Sequence, residues 1–221
     1  MQARRVISVI LVTATGVAGA LNAPWLIGAA ESPTARTMNT DFDSQRFVAH
    51  VTGVGPWVAY QDPTASLGLT FEYPQNWVTG TDIGRNQAYW QLIILGPRNA
   101  KNTWSAGLTI RKRSTTGLYQ SLELRIERHL KQAASAPQFQ LLEEGSRQVG
   151  VFQTWQMTWA CTVPLPPHSA QATTPTPIQT RLVIFAIGEH LYELNYSADA
   201  KEYPAYQHVF DHLLDTLKPA K

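Results

Sequence analysis

Four residues near the C-terminus have the types and spacing for metal chemistry. His208, Asp211, His212 and Asp215 follow one another at steps that sum to threes and fours, which on a helix brings their side chains onto neighbouring rows. Two imidazoles with a carboxylate are a donor set for a divalent cation, and a metal-assisted hydrolase would rest on His208, His212 and Asp215. The same residues fall opposite an apolar stripe of Tyr206, Phe210 and Leu213, where an ordinary solvated helix face would also lie. Both readings stay open at this level, and apart from that divalent metal no cofactor is implied.

Other chemistry leaves little trace. The chain has no Gly-x-Ser-x-Gly elbow, no His-Glu-x-x-His, no phosphate-binding Gly-x-x-x-x-Gly-Lys, no dinucleotide fingerprint and no Cys-x-x-Cys. Its one cysteine, Cys161, sits in Trp159-Ala160-Cys161-Thr162, where a buried, inert thiol is expected. One cysteine cannot form an intramolecular disulfide, and it lies far from the position of a lipoprotein cysteine. Trp57, Trp77, Trp90, Trp104, Trp155 and Trp159 can form aromatic platforms for sugars or partner proteins. Most fall on apolar faces of predicted strands and are expected in the core, with Trp104 the one expected to be exposed. A carbohydrate-binding module would need exposed coplanar aromatics.

Charge is distributed unevenly. Arg4 and Arg5 precede Val6 to Ala30, a run without a charged residue, which has the layout of a secretory signal. Small-residue cleavage sites follow at Ala18-Gly19-Ala20 and Gly28-Ala29-Ala30, the second being favoured. The run is also long enough to span a bilayer as a retained anchor. Either way the protein is expected to be exported, periplasmic or otherwise extracytoplasmic, touching membrane only through an uncleaved N-terminal segment. Removing Arg4 and Arg5 from the 18 Lys+Arg leaves a domain balanced against its 16 Asp+Glu, so nucleic acid is not an expected partner. Arg111-Lys112-Arg113 is a local basic run, expected to decorate a strand end.

The elements that must position these residues can be read from periodicity. Residues 1–30 form the signal or anchor, 31–56 a polar tether, and 57–221 one domain. Trp57 to Tyr60 and Leu67 to Tyr73 suggest a hairpin around Asp62-Pro63. Alternation predicts strands through Ala88 to Ile94 and Ala106 to Ile110. Leu118, Leu122, Ile126, Leu130 and Ala133 then predict an amphipathic helix over Leu118 to Ala134, stopped by Pro137. Phe139 to Glu143 reads as an edge strand. Val149 to Trp159 alternates again, with Val151, Trp155, Met157 and Trp159 on one face. The Pro/Thr-rich stretch 163–178 is expected to be an exposed loop. Arg181 to Ile187 and Leu191 to Tyr196 make the plainest hairpin, its first arm apolar on both faces. A last helix runs from Tyr203 to Leu217, with Pro204 in its first turn and Pro219 beyond its end.

Leu69-Thr70-Phe71-Glu72-Tyr73-Pro74-Gln75-Asn76-Trp77, Leu191-Tyr192-Glu193-Leu194-Asn195-Tyr196-Ser197-Ala198 and the Tyr203 to Leu217 helix together resemble the PsbP-like superfamily, over most of Trp57 to Lys218. The resemblance implies an α+β fold, an α/β/α sandwich around an antiparallel sheet of about six strands. It also implies a member of the exported bacterial branch of unassigned role. The expectation is a binding or accessory protein rather than an enzyme, one that docks onto an unknown protein partner in a membrane or envelope complex.

Overall fold

The computed structural model describes residues 53–62, 64–83, 89–97, 105–116, 121–165 and 174–220. The N-terminal signal or anchor and Trp104 lie outside these residues, as does the tether up to residue 52.

The main strands are β4 (Val78–Ile83), β5 (Trp90–Leu95), β6 (Ala106–Ser114), β7 (Gln140–Val149), β8 (Phe152–Leu165), β9 (Thr174–Ile187) and β10 (His190–Asp199). They form one antiparallel sheet in the order β4-β5-β6-β10-β9-β8-β7. Helix α1 (Leu122–Ala134) covers one face and α2 (Tyr203–Thr216) the other. Two short ribbons join α2 on its face: β1 (Trp57–Ala59) with β3 (Glu72–Pro74), and β2 (Leu69–Thr70) with β11 (Lys218–Pro219). The architecture is an α+β sandwich with a seven-stranded sheet; β4 is the strand that alternation did not announce.

Strand alternation divides the core. Val183, Phe185, Tyr192, Leu194 and Tyr196 turn to the α2 face and meet Val209, Phe210, Leu213 and Leu214. Leu182, Ile184, Leu191, Met157 and Trp159 turn to the α1 face and meet Ile126, Leu130 and Ala133. Phe185, fully buried, stacks between Phe152 at 4.7 Å and Tyr192 at 5.3 Å. Burying one such side chain is worth about 1.5–3 kcal/mol, so β9, apolar on both faces, anchors both layers.

Local chemistry fixes the ends of the elements. Ser121 Oγ accepts from the Leu124 amide at 3.2 Å and caps α1. Residues 118 to 120, where the helix was expected to begin, lie outside the described residues. Gly188 occupies a positive φ of 55° in the β9–β10 turn, a conformation glycine adopts without a Cβ clash. Gly96 serves a different need, since a Cβ there would come within 3.0 Å of the Trp77 ring.

Two expectations about strand layout fail. Stretch 163–178 is not all loop: β8 continues to Leu165 and β9 starts at Thr174, with Pro164 opposite Pro175 and Thr162 opposite Pro177. These prolines are tolerated because the sheet has narrowed there. β7 pairs β8 only as far as Ala160, and β10 pairs β9 only as far as Ile178, so a missing N–H need not break a ladder. Val151 is the other failure. It sits in the β7–β8 turn and is 73% exposed, while Trp155, Met157 and Trp159 do share the α1 face.

Candidate functional site: two charge clusters on opposite faces of the sheet

On α2, the step of four that links His208 to His212 and Asp211 to Asp215 makes two rows, and they serve different neighbours. Asp211 accepts from Arg181 Nη1 at 2.7 Å, and its side chain is 42% exposed while that of Arg181 is 6% exposed. His212 leans the other way. It stacks on Trp57 at 3.8 Å, with Nε2 2.8 Å from Glu72 Oε2. His208 and Asp215 are exposed. Helix spacing alone placed all four in solvent; Asp211 and His212 are in fact engaged at the flanks of the apolar stripe. Among the described residues no group of three or more His, Cys, Asp or Glu is arranged to hold a metal ion.

The Asp row borders an open cleft of about 300 Å³ between α2 and the β7–β8 hairpin, lined among others by Glu143, Arg147, Arg181, Gln207, Asp211 and Asp215. Arg181 lies at its base. Alternation turns it to the α2 face, where its guanidinium lies 5.6 Å from the centre of the Phe210 ring. Nη2 donates to Gln156 Oε1 at 3.1 Å, and Gln156 Nε2 donates onward to Glu143 Oε1 at 3.2 Å. Arg181 Nε is buried with no hydrogen-bond acceptor among the described residues. β7 is the outermost strand beside this cleft, exposed along nearly all of its length, with Leu141 and Leu142 at 41% and 46%. Its register shifts between Leu141 and Glu143, the kind of irregularity that blunts edge-to-edge pairing.

The second cluster lies on the α1 face. Glu193, in the middle of β10, is fully buried, and Arg111 stands directly opposite it on β6. Arg113, two residues on, shares that face, and Arg125 and His129 enter from α1 at i and i+4. Arg125 Nε donates to Glu193 Oε1. Around the carboxylate, Arg113 Nε stands 3.5 Å and His129 Nε2 3.6 Å from Oε1, and Arg111 Nη1 stands 3.8 Å from Oε2. Arg111 Nε also donates to Gln91 Oε1 at 2.8 Å. The Tyr89 ring lies beneath the guanidiniums of Arg111 at 4.7 Å and Arg113 at 4.9 Å, and its hydroxyl donates to Asp82 at 3.3 Å.

Burial alone would raise the Glu193 carboxyl, but His129 and the charges of Arg125 and Arg113 outweigh it and hold it well below the usual carboxylate range. Burial pulls His129 below its ordinary value despite the adjacent carboxylate. It also lowers Arg113 to about 10, with Glu193 opposing the shift and the neighbouring arginines adding to it.

Arg111-Lys112-Arg113 was expected to be a solvent-facing decoration. Instead Arg111 and Arg113 join the enclosed cluster, while Lys112 turns to the other face and donates to the Ser66 carbonyl at 2.6 Å. The sequence did hold a signal for this. Glu193 is a lone acid within an apolar alternation, and such a charge must be paired where it is buried.

Trp77 and Trp159 are buried, and Trp57, Trp90 and Trp155 pack against the two cores. The described tryptophans therefore offer no exposed platform. Cys161 is buried, and burial raises its thiol, as expected of an inert cysteine.

No protein-family model matches the chain, and no curated protein sequence does. Solved structures that resemble it include a Pseudomonas aeruginosa protein of unknown function, with a TM-score of 0.48 at 14% identity over 76% of this chain and 99% of that one. The cyanobacterial PsbP (CyanoP) of Synechocystis gives 0.48 at 13%, over 78% and 99%. LpqN of Mycobacterium tuberculosis, described as involved in cell envelope biogenesis, gives 0.43 at 12%, over 75% and 91%. Likeness this distant transfers no activity; the α+β sandwich rests on the sheet order and helix packing above.

Proposed function

We propose that the chain is an exported, non-enzymatic binding module that docks onto a membrane or envelope assembly through the cleft between α2 and the β7–β8 hairpin. The observation that carries this reading is Arg181, a buried guanidinium lining an open polar cleft whose Nε has no acceptor among the described residues. Buried donors are nearly always satisfied, so an unsatisfied guanidinium beside an open cleft favours an incoming acceptor.

The occupant we assign is an extended segment of a partner protein that carries basic side chains. Asp211 already neutralises Arg181, which leaves Glu143 and Asp215 against Arg147 around the cleft. A small outward turn of the Arg181 guanidinium would let a backbone carbonyl of the segment accept from it, and the segment's Lys or Arg side chains would meet the carboxylates. Past the irregularity at Leu141/Glu143, β7 runs in regular register from Glu143 to Val149 with its outer edge exposed, which leaves room for extended pairing beside the cleft. Export is supported by the Arg4-Arg5 head and the uncharged run to Ala30. Among the described residues no helix is long and apolar enough to cross a membrane.

The test is a photo-activated cross-linker at Gln207 in the exported protein, used in cells with the envelope intact. The expected result is one dominant adduct, mapped to an extended Lys- or Arg-bearing stretch of an envelope protein. No adduct, or the same adduct from Glu127 on the outer side of α1, would overturn the reading.

A further inference from the structure

The Glu193 cluster contains more cation than it can use. Arg111, Arg113 and Arg125 face two carboxylates, Glu193 and the more distant Asp82, while His129 is held towards its neutral form. Among the described residues one positive charge is therefore uncompensated, in a region where desolvation makes charge expensive. Hydrogen bonding is incomplete on both sides: among the described residues Arg113 Nε has no acceptor and Glu193 Oε2 no donor, so the surplus is one of charge.

Exposure shows which group a solute would meet. The Glu193 side chain has no exposed surface, whereas those of Arg113, Arg111 and Arg125 are 18%, 11% and 10% exposed. An approaching solute thus meets the arginine side chains first, with the carboxylate behind them. Glu193 fixes the arginines and prevents them from turning away, and Tyr89 supports two of them from beneath. Planar guanidiniums held in this way match the paired oxygens of phosphate-type anions.

We propose that the Arg111, Arg113 and Arg125 cluster is a binding site for a small phosphate-type oxyanion, on the opposite face of the sheet from the docking cleft and independent of it. Binding should stabilise the fold by mass action.

Inorganic phosphate titrated into the purified protein at constant ionic strength, balanced with sodium chloride, tests this by calorimetry and by the thermal unfolding midpoint. Saturable heat is expected, with a midpoint that rises with phosphate and not with chloride. Arg113→Gln is expected to weaken binding at least tenfold, and Lys201→Gln, an exposed cation outside both sites, to leave it unchanged. Absence of saturable binding in the unaltered protein overturns the proposal whatever the variants do. Equal binding by a folded Arg113→Gln protein overturns it as well.

Discussion

Glu193 and Asp211 are both carboxylates held by arginine, one on each face of the same sheet, and they differ in their access to water. Glu193 has no exposed surface and four basic side chains around it, whereas Asp211 is 42% exposed and is held by one arginine. Where water is excluded, removing one partner strands the others in low dielectric, so the loss far exceeds what the pair contributes. Where water remains, it replaces a lost partner at little cost. The enclosed cluster is thus committed to the fold and to whatever fills its charge deficit. The open one is free to exchange partners, as docking requires.

The largest expected effect follows from the enclosed side. Glu193→Gln keeps the shape but leaves Arg111, Arg113 and Arg125 without their central counter-charge, and should lower stability by about 3–5 kcal/mol in urea unfolding. A loss under about 1 kcal/mol would mean that water reaches Glu193 itself and the contrast fails.

Acid should act on the same side. Both His129 and Glu193 have folded values below their ordinary 6.5 and 4.5. Below each ordinary value the unfolded chain binds a proton that the folded protein refuses, so stability falls as pH falls. Unfolding midpoints should therefore decline from about pH 6.5 and more steeply below about 4.5. His129→Asn should flatten the first part of the decline and keep the second; an unchanged profile in that variant would assign the first part elsewhere.

Arg181 is intermediate, being buried itself but paired with an exposed acid. Arg181→Met should cost about 1–3 kcal/mol, chiefly because Gln156 loses its donor in a buried setting. Asp211→Asn should cost less than about 1 kcal/mol, since an amide oxygen can still accept from Arg181 and water reaches the site. Urea midpoints for the two variants would collapse the contrast if they fell in the reverse order.

The fold was largely legible in the sequence because it rests on apolar periodicity. The β9–β10 hairpin, the Ala106 strand and both helices stand out by alternation or by a period of 3.6. β4 was not legible, since Val78-Thr79-Gly80 carries no apolar alternation and its place is set by pairing with β5. The Pro/Thr stretch was misread because proline tolerance depends on where neighbouring strands stop, which is a tertiary fact. The site was less legible still. Asp211 and Asp215 stood out by spacing and do line the cleft, but the neighbours that separate Asp211 from His212, Arg181 and Glu72, are 30 and 140 residues away. The Glu193 cluster joins three elements, and only the isolation of one acid in an apolar strand pointed to it.

The measurement closest to the central claim is the cross-linking yield from Gln207 in a Glu143→Lys, Asp215→Lys double variant, compared with the unaltered protein at matched unfolding midpoints. If the open cluster is the docking surface for a basic segment, the dominant adduct disappears while the fold persists. The same adduct at the same yield would contradict it.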